Sequence, residues 1–397
     1  MNICYISIDY HRTEGGGGIA SYLKTLSQNF VSSGHNVIII AKAFAGEHVF
    51  SDPAGVKVYS VPFGNIHYYV HKVPVIGKRI SAIICQLEWA LSAWFALRKI
   101  LKKHPIDVIE SSETGNLLIT LFIKKIPLVI KTHGSYVTMS KFSGEAIYLG
   151  HKLSRMIECW CLRKCACIVA PSHFQAREIA GELRIPEQQV RVIPNPIDAD
   201  FLPHVSRSLS PTNGAPTVLY TGRLEYRKGI LCLLRAIPYV IEQYPDVKFI
   251  FAGGRHMSLT QQTLQKTIKE LGIAPYLDLR GHLAWSKVFE LYQNSLIFVM
   301  PSYFETFSIS CIEAMIFGLP VVAAASGALP ETVLDNVTGI LVPPKNVQEL
   351  ARAIVRLLSD RELRQRMGQA GRTHVMTNFT PEKICAQMLA LYEHLKK

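Results

Sequence analysis

The sequence is poor in charged residues, and its acidic residues are scarcer than its basic ones. Charged side chains make up 18% of the 397 residues and hydrophobic side chains 49%, with no low-complexity tract and no internal repeat. This composition excludes disordered and fibrous proteins. The 43 Lys and Arg outnumber the 30 Asp and Glu and give a formal charge of +13, which favours an anionic partner such as a nucleotide, a phospholipid surface or a nucleic acid.

The sequence also lacks an uninterrupted hydrophobic run long enough to cross a bilayer. Its most apolar stretch, residues 80–97, contains Gln86 and Glu88 and falls short of the roughly 20 apolar residues that a spanning helix requires. The first residues, MNICYISIDYHR, show no basic segment followed by an apolar one, so we expect no secretory signal. These features predict a cytoplasmic protein, either soluble or peripheral on the inner face of a membrane.

Short apolar runs alternate with helical patterns along the chain. Residues 3–8 have the composition of a strand, and they are followed by a glycine-rich loop and then by a helical spacing of apolar residues that ends at Phe30. Similar units recur up to residue 193 and again over residues 217–342. This alternation predicts an α/β fold in which two Rossmann-like halves, each with a parallel, doubly wound sheet, face a central crevice.

A change in composition predicts where the two domains meet. Residues 202–216 are rich in Ser, Pro, Thr, Asn and Gly, as linkers are. We therefore predict an N-terminal domain over residues 1–200 and a C-terminal domain over residues 201–379. Residues 380–397 begin with Thr-Pro-Glu and then place apolar residues on one helical face, which predicts a closing helix that packs back on the N-terminal domain.

Candidate ligand-binding residues follow predicted strands, at the edge where open α/β sheets bind ligands. In the second half, Arg223 comes directly after a strand, and Lys228 lies at the start of the next helix. A cationic pair beside a helix N-terminus suits a diphosphate, because fixed cations, free amides and the helix dipole act together there. The alternative for both residues, taken alone, is ordinary solvated surface charge.

Two carboxylates lie in the run over residues 300–315. Glu305 falls in a loop after a strand, and Glu313 lies about two turns along the helix that begins near Phe307. The amides at this helix start can receive a phosphate, and the carboxylates can accept hydrogen bonds from sugar hydroxyls. Glu313 is surrounded in sequence by apolar residues, where an unpaired carboxylate is costly, so we expect it to have a partner.

These segments together resemble the retaining, nucleotide-sugar-dependent glycosyltransferases of family 4, which have the GT-B fold. Seven residues separate Glu305 from Glu313, and Gly-Leu-Pro-Val-Val-Ala follows at residues 318–323. The resemblance covers nearly the whole chain. Other segments agree in order and spacing, namely Gly16-Gly17-Gly18-Ile19-Ala20, Thr132-His133-Gly134, Pro171-Ser172-His173-Phe174, Pro194-Asn195-Pro196-Ile197-Asp198, Gly222-Arg223-Leu224, Arg227-Lys228-Gly229 and Pro330-Glu331.

The resemblance implies a role for each matching residue. Arg223 and Lys228 would hold the donor diphosphate, Glu305 would bind donor sugar hydroxyls, Glu313 the ribose, and His133 would lie against the transferred sugar. The C-terminal domain would bind the donor and the N-terminal domain the acceptor. The implied catalytic set is His133, Arg223, Lys228 and Glu305. The implied donor-binding set is Gly16, Gly17, Arg223, Lys228, Glu305, Phe307, Ser308, Ile309 and Glu313.

The resemblance also implies the reaction. A hexose or hexosamine would move with retention from a UDP- or GDP-linked donor to a hydroxyl of a glycan or glycolipid, in surface polysaccharide or lipopolysaccharide biosynthesis. Cations and helix amides would stabilise the departing diphosphate, so no metal and no cofactor are expected. The alternative is a non-catalytic nucleotide-sugar-binding module. The segment Gly253-Gly254-Arg255-His256 replaces the Gly-x-Gly-Pro turn common in relatives, so the identity of the nucleotide base is left open. Ser308 stands in place of a common Gly and suits a helix N-terminus.

Two local patterns suggest other chemistry. Gly15, Gly17 and Ala20 nearly fit a dinucleotide-binding fingerprint, but Lys42 follows the second predicted strand where an NAD site needs an acidic residue. A cysteine group suggests a metal site, but no second ligand cluster accompanies it and two members have helical spacing, which favours reduced core thiols. This group is Cys159, Cys161, Cys165 and Cys167.

Most of the excess positive charge lies in one part of the chain. Residues 72–164 contain 15 Lys or Arg and 6 Asp or Glu, and the apolar, aromatic-rich stretch 89–97 precedes a basic cluster over residues 98–103. One interpretation is docking on an anionic membrane surface, and the other is a helix packed on its sheet with a solvated basic end. No nucleic-acid partner is expected, because the charge is not accompanied by a recognised nucleic-acid motif.

Overall fold

The chain forms two compact units. A computed structural model describes residues 1–8, 10, 17–43, 48–62, 64–73, 77–134, 149–205, 215–256 and 258–396. The N-terminal unit comprises Met1–Pro194 together with Pro381–Lys397, and the C-terminal unit comprises Asn195–Thr380.

Each unit contains one sheet. The strands are β1 Asn2–Ser7, β2 Asn36–Ala43, β3 His48–Ser51, β4 Lys57–Pro62, β5 Val108–Ser112, β6 Leu128–Lys131, β7 Cys167–Ala170, β8 Val190–Val192, β9 Thr217–Thr221, β10 Lys248–Ala252, β11 Leu277–Gly281, β12 Ile297–Met300, β13 Val321–Ala324 and β14 Gly339–Val342. The N-terminal sheet has the order β3-β4-β2-β1-β5-β6-β7-β8, and the C-terminal sheet has the order β11-β10-β9-β12-β13-β14. All strand pairs are parallel except β3 with β4.

Helices connect these strands. They are α1 Gly18–Ser32, α2 Ile66–His71, α3 Gly77–Leu101, α4 Leu117–Phe122, α5 Leu149–Lys164, α6 His173–Leu183, α7 Ile230–Ile241, α8 Gln261–Leu271, α9 Trp285–Gln293, α10 Ile309–Ile316, α11 Leu329–Thr332, α12 Val347–Ser359, α13 Arg361–Asn378 and α14 Pro381–Lys396. Two parallel-sheet α/β units with this alternation confirm the predicted fold class.

The central strands are apolar on both faces because helices cover both sides of the sheet. In β1, Cys4 and Ile6 belong to a core that includes Trp89 and Leu97 of α3, whereas the intervening Tyr5 belongs to a core on the other face. Successive side chains of a strand point to opposite faces. A strand buried on both sides therefore appears in sequence as a continuous apolar run, which is why the run over residues 3–8 predicts it correctly.

The predicted closing helix is present and lies in the N-terminal unit. Ile384, Met388 and Tyr392 of α14 are fully buried and belong to the same core as Tyr5 of β1. Their spacing places them on one face of the helix. Packing of this face, rather than intrinsic helix propensity, stabilises α14.

The division between the units falls earlier than predicted. Phe201 is buried in the C-terminal unit, where its ring lies 4.7 Å from Phe289 and 5.4 Å from Trp285 between centroids. Residues 195–200 therefore belong with the C-terminal core, although the sequence assigns them to the first domain. Part of the predicted linker, residues 206–214, lies outside the described residues. A polar composition marks a surface segment, but tertiary contacts determine the boundary.

Helix α3 is the one described helix long and apolar enough to cross a membrane by length and composition. Its candidate span is Arg79–Leu101, with a mean hydropathy of 1.5. By this measure the helix could cross a membrane, whereas the interruption by Gln86 and Glu88 predicts that it does not. One face of the helix, however, carries Trp89 and Leu97, which are fully buried against the sheet. Burial of that face is typical of a core helix.

Candidate functional site

A cationic and carboxylate cluster lies at the carboxyl ends of β9 and β12. Lys228 Nζ donates to Glu305 Oε1 at 2.6 Å, Ser302 Oγ donates to the same oxygen at 2.7 Å, and Arg227 Nη1 lies 3.9 Å from Glu305 Oε2. Burial alone would raise the pKa of Glu305, but the charges of Lys228 and Arg227 outweigh it and hold that pKa below its usual value. Glu305 is thus a buried, ionised carboxylate.

Two glycines allow the backbone to close around this cluster. Gly229 has φ +70°, and a Cβ there would lie 1.9 Å from the carbonyl oxygen of Pro301. Gly327 has φ +56°, and its Cβ would lie 2.3 Å from the carbonyl oxygen of Glu305. The Ala328 N–H donates to that same oxygen at 2.9 Å. Glycine is therefore required at both positions, and the close approach fixes the Glu305 loop between two neighbouring turns.

Glu225 lies next to two arginines at the carboxyl edge of the C-terminal sheet. Arg227 Nη2 donates to Glu225 Oε1 at 2.6 Å, and Arg223 Nη2 lies 3.7 Å from that oxygen. Glu225 and Arg227 are buried, whereas the Arg223 side chain is 59% exposed. Arg227 is therefore a fixed structural cation, whereas most of the Arg223 side chain is open to solvent.

Glu313 has the partner that its apolar surroundings require. Tyr292 of α9 donates its hydroxyl to Glu313 Oε2 at 2.8 Å, and the same hydroxyl lies 2.7 Å from Thr221 Oγ1 at the end of β9. Burial raises the pKa of Glu313 to about 8; the Tyr292 hydrogen bond opposes this shift and the Asp198 charge adds to it. Glu313 therefore differs from Glu305 in charge at neutral pH, because no Lys or Arg among the described residues pairs with it.

The N-terminus of α10 lies between these two carboxylates. Ser308 precedes the helix, but its hydroxyl donates to Cys311 Sγ at 3.2 Å and makes no cap to a backbone amide. Burial raises the pKa of the Cys311 thiol in this first turn, and the charges of Glu305, Lys228 and Glu313 also act on it. First-turn amides, including that of Ile309, have no acceptor within the helix.

Phe307 anchors the residues that precede α10. Its side chain is buried in the C-terminal core, and its ring lies 5.5 Å from that of Phe379 between centroids. Phe307 therefore contributes packing, and the neighbouring backbone contributes the polar groups.

In the N-terminal unit, His133 follows β6 at the carboxyl edge of the sheet. Its backbone N–H lies 3.2 Å from both carboxylate oxygens of Glu113, and the Gly134 N–H donates to Glu113 Oε1 at 2.9 Å. The His133 ring meets the Tyr22 ring edge-on, with centroids 5.1 Å apart. Burial and the nearby Lys131 charge lower the pKa of His133 well below its usual value, so the imidazole is neutral at pH 7.

A buried polar network adjoins His133 through Tyr22. The Tyr22 hydroxyl donates to Glu110 Oε1 at 3.0 Å, and the Tyr392 hydroxyl of α14 donates to Glu110 Oε2. Lys131 donates to the carbonyl oxygen of Ile193. Burial raises the pKa of Glu110 and lowers that of Lys131, and the charge of each opposes the shift of the other.

The glycine loop is described only in part. Gly16 of the predicted donor-binding set lies outside the described residues. Gly17 has extended backbone at the start of α1, and a Cβ there would meet nothing within 4 Å. The unit itself therefore does not require glycine at position 17, and close approach to a ligand stays a prediction.

The structure brings most of the predicted residues into two groups. Arg223, Lys228, Glu305, Phe307, Ser308, Ile309 and Glu313 gather at the carboxyl edge of the C-terminal sheet, and His133 lies at the carboxyl edge of the N-terminal sheet. Several partners of these residues were not predicted from the sequence, and three of them are polar partners of the predicted residues Arg223, Glu313 and His133. They are Glu113, Glu225 and Tyr292.

The sequence held a signal for two of the missed partners. Glu113 follows β5 just as His133 follows the neighbouring strand β6, and Glu225 lies between two arginines. Tyr292 lies in an ordinary amphipathic helix and contacts Glu313 only through tertiary packing.

The cysteine group does not form a metal site. Among the residues that the structure describes, no group of three or more His, Cys, Asp or Glu side chains is arranged to hold a metal ion. Cys159 and Cys161 are buried, and Cys165 and Cys167 are half-buried. Burial raises the pKa of all four thiols, which makes them poor nucleophiles and poor metal ligands.

Comparison with known proteins agrees with this arrangement. The family model described as "Glycosyltransferase Family 4" matches residues 16–201, and the model described as "Glycosyl transferases group 1" matches residues 205–374. An uncharacterized glycosyltransferase of Methanocaldococcus jannaschii is 26% identical over 95% of this chain and 94% of its own length.

Solved structures share the fold. Sucrose-phosphate synthase from Thermosynechococcus elongatus superposes with a TM-score of 0.79 at 21% identity, over 100% of this chain and 99% of its own. Anabaena HepE, solved in complex with UDP-glucose, gives a TM-score of 0.72 at 19% identity, over 99% of this chain and 100% of its own. The two family models and the whole-chain fold together identify this protein as a glycosyltransferase of the family 4 type with the GT-B fold.

Proposed function

We propose that this glycosyltransferase moves a hexose or hexosamine from a UDP- or GDP-linked donor to a hydroxyl of a glycan or glycolipid acceptor, with retention of configuration. The observation that carries the proposal is the Lys228–Glu305 pair beside the N-terminus of α10. It combines a cation and free amides for a diphosphate with a carboxylate for sugar hydroxyls. The UDP-glucose complex of Anabaena HepE supports a nucleotide-sugar donor.

The donor diphosphate binds to three groups in this proposal. Arg223 is largely exposed and can turn toward an anion. Lys228 is held by Glu305 and so presents its remaining N–H donors in a fixed direction. The first-turn amides of α10 add hydrogen bonds and the positive end of the helix dipole. These charges act most strongly as the diphosphate leaves, because negative charge grows on it when the anomeric C–O bond breaks.

Glu305 binds hydroxyls of the transferred sugar in this proposal. Glu305 is ionised, so it can accept hydrogen bonds from two sugar hydroxyls while it retains Lys228. His133 of the N-terminal unit has a neutral imidazole, which suits the sugar contact that the family resemblance implies for it, because a neutral ring adds no positive charge to an oxocarbenium-like centre. In the transfer, the bond from the anomeric carbon to the diphosphate oxygen breaks, a bond to the acceptor oxygen forms, and the acceptor proton leaves on the diphosphate.

Glu313 binds the ribose of the donor nucleotide. Its carboxyl is buried and held by Tyr292, and its pKa of about 8 keeps it mostly protonated at neutral pH. A protonated carboxyl can donate to one ribose hydroxyl and accept from the other. The contact does not change during the reaction, so it contributes mainly to donor binding.

We further propose that the reaction needs no metal and that it serves surface polysaccharide or lipopolysaccharide biosynthesis on the cytoplasmic side of a membrane. Lys228 and Arg223 supply the positive charge that a metal supplies to diphosphates elsewhere. Binding of an anionic membrane surface is a separate proposal, because it does not follow from the glycosyltransferase assignment.

The test is a donor screen followed by product analysis. Thermal shifts against UDP- and GDP-sugars identify the donor, since a ligand at about 100 times its Kd stabilises the folded state by roughly 2.7 kcal/mol. The chosen donor is then incubated with acceptor glycans, and nucleoside diphosphate release and the anomeric configuration of the product are measured. Donor binding without acceptor-dependent release would identify a non-catalytic binding module, and an inverted product would contradict retention.

A further inference from the structure

Helix α3 is apolar on its exposed face as well as on its buried face. Leu87, Leu91 and Phe95 recur every four residues and are 40%, 49% and 57% exposed, whereas Trp89 and Leu97 on the other side are fully buried. A helix that packs on one side and meets water on the other normally carries polar residues outside. An exposed apolar row of this kind marks a surface that another apolar phase covers.

The apolar row continues onto neighbouring elements. Helix α3 packs against α4, where Leu121 and Phe122 are 41% and 60% exposed. The Phe122 ring lies 5.1 Å from that of Trp94 between centroids, which joins α4 to the exposed side of α3. We call Leu87, Leu91, Phe95, Leu121 and Phe122 the apolar surface.

Other helices packed on α3 are also apolar on their exposed sides. Helix α2 exposes Ile66, Tyr68 and Tyr69, and α5 exposes Leu149, Leu153 and Met156. Most of the large apolar side chains that are exposed among the described residues lie on these four helices of the N-terminal unit.

Basic residues border the apolar surface. Arg98, Lys99, Lys102 and Lys103 are exposed at the end of α3, and Lys124 and Lys125 are exposed directly after α4. The Arg98 guanidinium lies 5.9 Å from the centroid of Trp94. At α2, which also packs on α3, Lys72 Nζ lies 4.2 Å from the centroid of Tyr68. Aromatic rings paired with Lys or Arg are typical of side chains at a membrane interface.

Acidic residues are scarce in the described residues of α2, α3 and α4. Glu88 is the acidic residue within α3, and its carboxylate is bound by the backbone amides of Ile66 and His67 and by His67 Nδ1 at 2.6 Å. Its negative charge is therefore already satisfied inside the unit. The exposed surface therefore combines apolar side chains with a border of Lys and Arg side chains.

We infer that the apolar surface and its basic border dock on an anionic lipid bilayer, with the aromatic and leucine side chains at the level of the acyl boundary and the cations on the headgroups. A second copy of the chain is a poorer occupant, because a two-fold interface would bring two basic borders together. A spanning helix is a poorer explanation too, since Trp89 and Leu97 hold α3 in the core. The inference does not depend on the donor or the reaction.

Co-sedimentation with vesicles tests this inference on the full chain. We expect binding to vesicles of phosphatidylcholine with about 30% phosphatidylglycerol, weak binding to pure phosphatidylcholine, and partial release at high salt. Phe95→Glu and the double substitution Lys99→Glu with Lys102→Glu should each weaken binding about tenfold or more. The matched controls Met376→Glu and Lys266→Glu, at exposed positions in the C-terminal unit, should bind like the unmodified protein.

Trp94 supplies a second measurement that reports location. Brominated acyl chains should quench its fluorescence when vesicles are added, and the vesicle-dependent quenching should disappear in Trp94→Phe. Melting temperatures show whether each variant is folded. The inference is overturned if folded Phe95→Glu binds vesicles as tightly as the unmodified protein. It is equally overturned if sedimentation velocity shows a dimer that Phe95→Glu dissociates while no vesicle binding occurs.

Discussion

Lys228 Nζ donates to Glu305 Oε1 at 2.6 Å, so the cation proposed for the diphosphate is held by the carboxylate proposed for the sugar. Both side chains are largely buried, and Arg227 Nη1 lies 3.9 Å from the other carboxylate oxygen of Glu305, Oε2. The two proposed roles are therefore coupled, because each side chain holds the other in place.

Replacement of Glu305 should lower turnover more than donor affinity. Glu305→Ala removes the sugar contact and also releases Lys228, and we expect kcat to fall about tenfold or more, since a charge-assisted hydrogen bond contributes roughly 1.5–3 kcal/mol. Glu305→Gln keeps the shape of the side chain but loses its charge, so its kcat should lie between those of Glu305→Ala and the unmodified protein. Steady-state kinetics with the identified donor measure this, with melting temperatures as the folding control. An effect confined to the donor KM would contradict the placement of the sugar.

Replacement of Glu313 should act on donor binding. Glu313→Ala removes the ribose contact, so the donor KM should rise while kcat changes little. Glu313→Gln should keep near-normal kinetics at pH 7, because an amide resembles the protonated carboxyl that a pKa of about 8 implies. A large loss of kcat in Glu313→Gln at pH 7 would show that the carboxylate form is the active one.

Glu313 should also give a measurable pH dependence of stability. Its pKa rises from the usual 4.5 to about 8 on folding, so between these values the folded state binds more protons than the unfolded state. The free energy of unfolding should therefore decrease as pH rises through this window, through the contribution of this group. Glu313→Gln removes that contribution. Denaturation at pH 5 and pH 8 should show a smaller loss of stability in Glu313→Gln than in the unmodified protein, and equal losses would mean that Glu313 is not protonated in the fold.

The sequence predicts the fold well because the fold depends on local patterns, whereas the roles of the site residues stay predictions. Strands buried on two faces appear as short apolar runs, and Glu305 and Glu313 are recognisable by their spacing. The features that the sequence does not predict depend on contacts between distant residues. Tyr292 meets Glu313 only after α9 packs beside α10. The domain boundary after Pro194 depends on where Phe201 is buried. Strand β3 was also missed, because His48–Ser51 is a short edge strand with no continuous apolar run.

Activity should survive chelation if the site lacks a catalytic metal. Lys228, Arg223 and the α10 amides already place positive charge where the diphosphate is proposed to bind, so EDTA should leave kcat within about twofold. The measurement is nucleoside diphosphate release before and after dialysis against EDTA. Loss of turnover that magnesium or manganese restores would show that the protein cations are insufficient.

Glu113 should control the catalytic position of His133 without touching the donor. Its carboxylate receives the backbone N–H groups of His133 and Gly134, so Glu113→Ala leaves two amides without that acceptor and frees the turn that aims the imidazole. We expect kcat to fall about tenfold while the donor KM and the thermal shift caused by donor stay close to normal. Glu113→Gln retains one acceptor oxygen and should recover part of the activity.

Tyr392→Phe is the matched control for this prediction, because it removes a buried hydrogen bond to Glu110 in the same unit but not the bond to the His133 turn. It should lower the free energy of unfolding by about 1–3 kcal/mol and change kcat less than Glu113→Ala does. If the two variants lost stability and turnover in the same proportion, Glu113 would be a structural residue only. A loss of turnover specific to Glu113→Ala, reversed in part by Glu113→Gln, identifies it as the residue that positions His133.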